Sequence, residues 1–192
     1  YNCQRQAHTF YPTHLWKNES RHILDNYIVT KQEGLGDLDP NDPVSYNKYN
    51  QKDYAPTLMH NEAIDFITRN KNSPFFLYYA SPIPHLPLQA PKKWVNYYEK
   101  KFGEEKPYTG KSYYPNKTPK ATYAAMISYL DEQVGDLVLK LKEIGQYENT
   151  LIIFTSDNGP TWVDHVDYNF FNSTGKFINS RRTMKGSVSE GG

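Results

Sequence analysis

Residues 150–160 read Thr-Leu-Ile-Ile-Phe-Thr-Ser-Asp-Asn-Gly-Pro. Leu151, Ile152, Ile153 and Phe154 form a short unbroken apolar run, the pattern of a strand buried on both faces. Gly159-Pro160 ends it. Asp157 and Asn158 therefore sit at the C-terminal end of an expected parallel strand, where open α/β sheets place their ligands. A carboxylate and an amide oxygen side by side suit a hard cation such as calcium or magnesium. Taken alone, the same four residues also make a turn, because Asn-Gly is a favoured turn pair and Asp and Asn tolerate left-handed backbone. The surrounding sequence has to decide.

Immediately upstream, apolar residues recur at three- and four-residue steps: Tyr123, Ile127, Leu130, Val134, Leu137, Leu141 and Ile144. This spacing predicts an amphipathic helix over 120–144 that lays one stripe on a sheet, with Gly145 ending it. Further upstream, residues 74–80 (PFFLYYA) read as a second buried strand, and residues 56–70 as a helix with Met59, Ala63, Phe66 and Ile67 on one face. Strand, proline-rich loop, long helix, strand is a βαβ rhythm. The expected fold class is α/β, a mostly parallel sheet with helices on both faces. Tyr27-Ile28-Val29 reads as a short strand. Residues 31–54, rich in Gly, Pro, Asn and Asp, read as a solvated surface loop.

Composition narrows the partners. The 192 residues carry a net charge of +1, so no global field points to nucleic acid or an anionic membrane. No apolar run has the length of a membrane span. A single cysteine, Cys3, excludes an intrachain disulfide and a cysteine-based zinc site, and leaves the compartment open. Seventeen tyrosines suit sugar-binding clefts as well as cores. Sequons at Asn18, Asn116 and Asn172 matter only in a host that glycosylates secreted proteins.

Two further residues are chemical candidates. His85 lies just past the expected strand 74–80, between Pro84 and Pro87, which restrict the backbone and aim the imidazole. It is either a general acid or an exposed histidine in a polyproline-like loop. Lys185, in Met184-Lys185-Gly186-Ser187, is either an anion-binding point charge or a solvated surface lysine.

The ordered set Pro-His-x-Pro, helix–strand–Asp-Asn-Gly and Lys-Gly-Ser-x-x-Glu-Gly-Gly resembles the type I sulfatase family, of the alkaline-phosphatase-like superfamily. The resemblance is carried by residues 74–91 (PFFLYYASPIPHLPLQAP), 123–134 (YAAMISYLDEQV), 148–160 (ENTLIIFTSDNGP) and 185–192. It implies hydrolysis of sulfate esters with a calcium ion, magnesium being the second choice. Asp157 and Asn158 match two metal ligands, His85 the histidine beside the leaving-group oxygen, and Lys185 the sulfate-binding lysine. The resemblance also implies a sulfated carbohydrate as the partner; Trp162 could stack on a sugar ring with Asp164 and His165 bonding its hydroxyls, and the same stretch equally reads as a loop with a buried Trp. By resemblance the setting is periplasmic, secreted or lysosomal.

Residues 1–192 contain no Cys/Ser-x-Pro/Ala-x-Arg motif, the family's source of its formylglycine nucleophile. The resemblance therefore implies a partial catalytic domain, without the nucleophile segment and the smaller C-terminal subdomain, and inactive on its own. Two rivals stand beside this reading. One is a phosphoester hydrolase of the same superfamily, against which the single Asp-Asn pair argues. The other is an inactive sulfatase homologue that binds glycans.

Overall fold

The computed structural model describes residues 9–30, 34–111, 113–156 and 166–173. The chain divides into two compact units, residues 1–150 and 151–192.

The first unit opens on a hairpin. Strand β1 (His14–Lys17) pairs antiparallel with β2 (Ser20–Ile23), His14 opposite Ile23 and Lys17 opposite Ser20. Asn18 takes a left-handed conformation in the two-residue turn, a geometry asparagine accepts at low cost. Leu15 and Leu24 pack on Ala55 and Met59. Residues 27–29 are extended but have no strand partner. The Gln51 side chain takes that part instead, accepting from the Tyr27 N–H at 2.7 Å and donating to its carbonyl at 3.0 Å.

The expected surface loop is partly built in. Asp42 caps a short 3-10 helix (Pro43–Tyr49) by accepting from the Val44 N–H at 2.9 Å. Tyr46 and Tyr49 are buried there with Leu35 and Tyr114.

Helix α1 (Ala55–Arg69) buries Ala55, Pro56, Met59, His60, Ala63 and Ile67, which recur at one- to four-residue steps on one face. Helix α2 (Lys92–Phe102), not foreseen from the sequence, ends at Gly103 with φ +74° and fully buries no residue. Helix α3 (Pro119–Glu143) is 25 residues long, about 37 Å. Pro119 opens it and Gly145, at φ +71°, follows its end. Glu105 reaches its first turn from outside, accepting from the backbone of Lys120 at 2.6 Å and Ala121 at 3.0 Å. Burial holds the Glu105 carboxyl above its ordinary pKa, against the pull of those two N–H groups.

Both other helices lie on α3. Thr57 and Tyr129 share a hydrogen bond of 2.7 Å, and the fully buried Gln133 donates to the Pro56 carbonyl at 3.0 Å. Trp94 Nε1 donates to Glu132 at 2.6 Å, and Tyr98 meets Ser128 at 2.7 Å. The buried stripe of α3 is thus Thr122, Met126, Tyr129 and Gln133. The expected stripe is buried only at Tyr123 and Leu141; Ile127 is 42% exposed.

The parallel sheet is not seen among the described residues, whose only sheet is the hairpin. Residues 74–80 and 151–156 are extended without a ladder. In 74–80 the side chains alternate. Phe75 meets Phe66 edge-on at 5.7 Å and the Tyr79 hydroxyl donates to Gln133 at 3.2 Å, while Phe76 and Tyr78 stand 86% and 80% exposed. The second unit begins with Leu151, Ile152, Ile153 and Phe154 all exposed, where burial on both faces was expected. The physical reason is the same for both segments. An apolar run becomes a two-face-buried strand only when neighbours supply its N–H and C=O partners and layers cover its faces. In the second unit Val166 is buried, and Asp167 accepts from the Phe170 N–H at 3.0 Å in a turn.

Candidate active site

Of the residues singled out in the sequence, the structure describes His85. Asp157, Asn158, Trp162, Asp164, His165 and Lys185 lie outside the described residues.

His85 stands in a loop whose flanks are anchored in the core. Ile83, Leu86, Leu88, Gln89 and Ala90 are buried around it, and the peptide bonds before Pro84 and Pro87 are cis. Three side-chain hydrogen bonds fasten the segment to its surroundings. The Tyr54 hydroxyl donates to the Gln89 carbonyl at 2.7 Å. Gln89 Nε2 donates to the Tyr49 carbonyl. Asn116 Nδ2 donates to the Leu88 carbonyl at 3.0 Å. Burial drives the Tyr54 pKa well above its ordinary value, so its hydroxyl stays protonated and can donate. Composition gave no sign of these anchors, because Tyr, Gln and Asn reveal their partners only in three dimensions.

The imidazole is half-buried and oriented. The backbone N–H of His85 donates to the Pro82 carbonyl at 3.0 Å, and Tyr113 meets the ring edge-on at 6.4 Å. Nδ1 lies 2.5 Å from the Leu86 carbonyl. A carbonyl can only accept, so Nδ1 carries the hydrogen. That leaves Nε2 as the ring nitrogen not engaged by the Leu86 carbonyl.

Among the described residues no group of three or more His, Cys, Asp or Glu could hold a metal ion. Asp157 and Asn158 offer two oxygen donors of the kind calcium takes in sets of six to eight. An open groove of about 630 Å³ runs between α1 and α3, lined by His60, Asp65, Asp136, Lys140 and Glu143 among others. It contains none of the candidates. No helix among the described residues is long and apolar enough to cross a membrane.

A family model described as Sulfatase matches residues 4–179. The chain belongs to the sulfatase family. The match takes in His85, Asp157 and Asn158 and stops short of Lys185. Mouse arylsulfatase J is 34% identical over 125 residues, 64% of this chain and 18% of that protein. An arylsulfatase of Clostridium perfringens is 33% identical over 138 residues, 61% of this chain and 29% of that one. Human N-acetylgalactosamine-6-sulfatase is 28% identical over 123 residues, 64% and 19%. The chain thus spans less than a third of the length of these relatives. Among solved structures, Ps i-CgsB in complex with k-i-k-neocarrahexaose aligns at a TM-score of 0.47 and 35% identity, covering 58% of this chain and 22% of that one.

Proposed function

We propose that residues 1–192 are part of the catalytic domain of a longer sulfatase that hydrolyses sulfate esters of carbohydrates. The observation that carries this reading is the sulfatase match over residues 4–179. The carbohydrate substrate is supported by the relative whose name specifies an N-acetylgalactosamine sulfate. The nucleophile, a formylglycine, would lie outside these residues, as would the remaining metal ligands and the C-terminal subdomain. The complete protein would supply the strands that turn 74–80 and 150–156 into a parallel sheet. Its compartment would be periplasmic, secreted or lysosomal.

In this reading Asp157 and Asn158 hold part of a calcium site. A bound calcium ion would stabilise negative charge on the sulfuryl oxygens as a Lewis acid. Lys185 would add a second positive charge to the same group. His85, protonated at Nε2 while Nδ1 is held by the Leu86 carbonyl, would donate a proton to the departing alkoxide. Trp162 would stack on the sugar, and Asp164 and His165 would bond its hydroxyls.

The test is turnover of a fluorogenic sulfate ester. The chain alone is expected to give none, and the longer protein to give turnover. Replacing His85 with Ala in the longer protein lowers kcat by roughly two to four orders of magnitude, the usual worth of a positioned general acid. Turnover by the chain alone, or a His85→Ala enzyme as fast as the parent, overturns the proposal.

A further inference from the structure

Helix α2 has two unlike faces. Trp94, Val95, Tyr98 and Phe102 are half-buried, and Trp94 and Tyr98 bond α3. The other face consists of Lys92, Lys93, Asn96, Tyr97, Lys100 and Lys101, all exposed. At 100° per residue these six fill one half of the helical circumference. That half carries four positive charges and no carboxylate.

Helix stability does not account for the arrangement. Lys100 and Lys101 complement the negative end of the helix dipole, but Lys92 and Lys93 stand in the first turn, where a cation is unfavourable. Lys93 pairs with Glu132 on α3 at 2.5 Å. Among the described residues no carboxylate lies within ion-pair range of Lys92, Lys100 or Lys101. Lys92 and Lys100 are eight residues apart, about 12 Å along the axis. Between them Tyr97 is 51% exposed, with the Lys101 ammonium 5.8 Å from its ring centre. An aromatic plate set among lysines offers stacking to a sugar ring and ionic contacts to its charged substituents.

We propose that this face of α2 is a docking surface for a linear sulfated polysaccharide. The spread of the lysines along the helix matches a chain bearing anionic groups at intervals, rather than one small anion. The choice of a sulfated polysaccharide over other polyanions rests on the proposed function.

Affinity electrophoresis of the protein through gels containing carrageenan, a sulfated galactan, tests the surface without any need for turnover. Carrageenan is expected to retard the protein, and unsulfated agarose is not. Each exposed ionic contact contributes a factor of about two. The triple variant Lys92→Gln/Lys100→Gln/Lys101→Gln should therefore bind roughly tenfold more weakly, and Tyr97→Ala several-fold more weakly, both with unchanged circular dichroism. Added salt should release the wild type. The proposal is overturned by absence of retardation, by equal retardation of the triple variant, or by equal retention of single-stranded DNA in place of carrageenan. Turnover of a small sulfate ester by the longer protein without retention would sink this surface alone. Retention without such turnover would uphold the surface and count against the sulfatase reading.

Discussion

Asn116 joins the loop of His85 to the start of α3, and replacing it with Ala should loosen both. Its side-chain oxygen accepts from the Thr118 N–H at 2.8 Å and from the Thr122 hydroxyl at 3.1 Å, while its nitrogen donates to the buried Leu88 carbonyl at 3.0 Å. The first two bonds are neutral, each with a net worth of about 0.5–1.5 kcal/mol. The third leaves a buried carbonyl without a donor, at a cost of about 1–3 kcal/mol. Their sum centres on about 4 kcal/mol. For a chain of this size that lowers the melting temperature by roughly 8–16 °C. Asn116→Asp separates the contributions. It keeps both acceptor bonds and adds a charge that suits a helix N-terminus by about 0.3–1 kcal/mol, yet it cannot donate to Leu88 while ionised. It should fall between wild type and Asn116→Ala, and recover as acid protonates the new carboxyl. Thermal unfolding followed by near-UV circular dichroism reads the stability. Hydrogen exchange at residues 85–90 reads the loop. An Asn116→Ala protein within about 0.5 kcal/mol of wild type, the range of inconsequential surface changes, would refute the joint.

Three further outcomes follow from the packing. Burial raises the pKa of Tyr11 to about 12 and moves Tyr54 and Tyr79 upward for the same reason. The unfolded chain releases these protons near the ordinary value of about 10, while the folded state keeps them. Stability should therefore be level below pH 10 and fall as pH climbs from about 10 toward 12, which urea midpoints at successive pH values would show; a flat profile contradicts the burial. Gln133→Leu leaves the Pro56 carbonyl without its donor and the Tyr79 hydroxyl without its acceptor, for a loss of about 2–4 kcal/mol in chemical denaturation. A neutral outcome would show that the buried amide is not needed. Phe76→Ser with Tyr78→Ser removes side chains that are mostly exposed, so the unfolding free energy should move by less than about 0.5 kcal/mol while light scattering of concentrated solutions falls. A large loss of stability would mean that these rings are covered.

The sequence revealed those elements whose stability is local. The expected helices 56–70 and 120–144 stand as Ala55–Arg69 and Pro119–Glu143, because proline, apolar spacing and Gly145 act within a few residues. Helix α2 escaped notice because it buries nothing completely and half its surface is lysine, asparagine and tyrosine. The anchors of His85 were equally hidden. Tyr54, Gln89 and Asn116 donate to carbonyls 35, 40 and 28 residues away, and no periodicity connects a donor to a carbonyl that far along the chain. Of the candidate site, the position and orientation of His85 can be compared with the sequence reading. Asp157, Asn158 and Lys185 rest on motif alone.

The stripe on α3 shows why hydrophobic counting chose the wrong face. The helix is apolar on two sides. One side carries Thr122, Tyr129 and Gln133, polar-tipped side chains that burial tolerates because Asn116, Thr57, Pro56 and Tyr79 satisfy them. A hydropathy pattern scores those residues as surface. The other side carries Ile127, Leu130, Val134 and Leu137, which the pattern scores as core, yet none of the four is fully buried. Leu130, Val134 and Leu137 are half-buried and Ile127 is 42% exposed, so the first unit covers this side only in part. Helices α1 and α2 both pack on α3, α1 through Tyr129 and Gln133 and α2 through Ser128 and Glu132. In the proposed function the exposed rings of Phe76 and Tyr78, on the face of residues 74–80 opposite to Tyr79 and α3, would be covered when that segment gains neighbours in a parallel sheet.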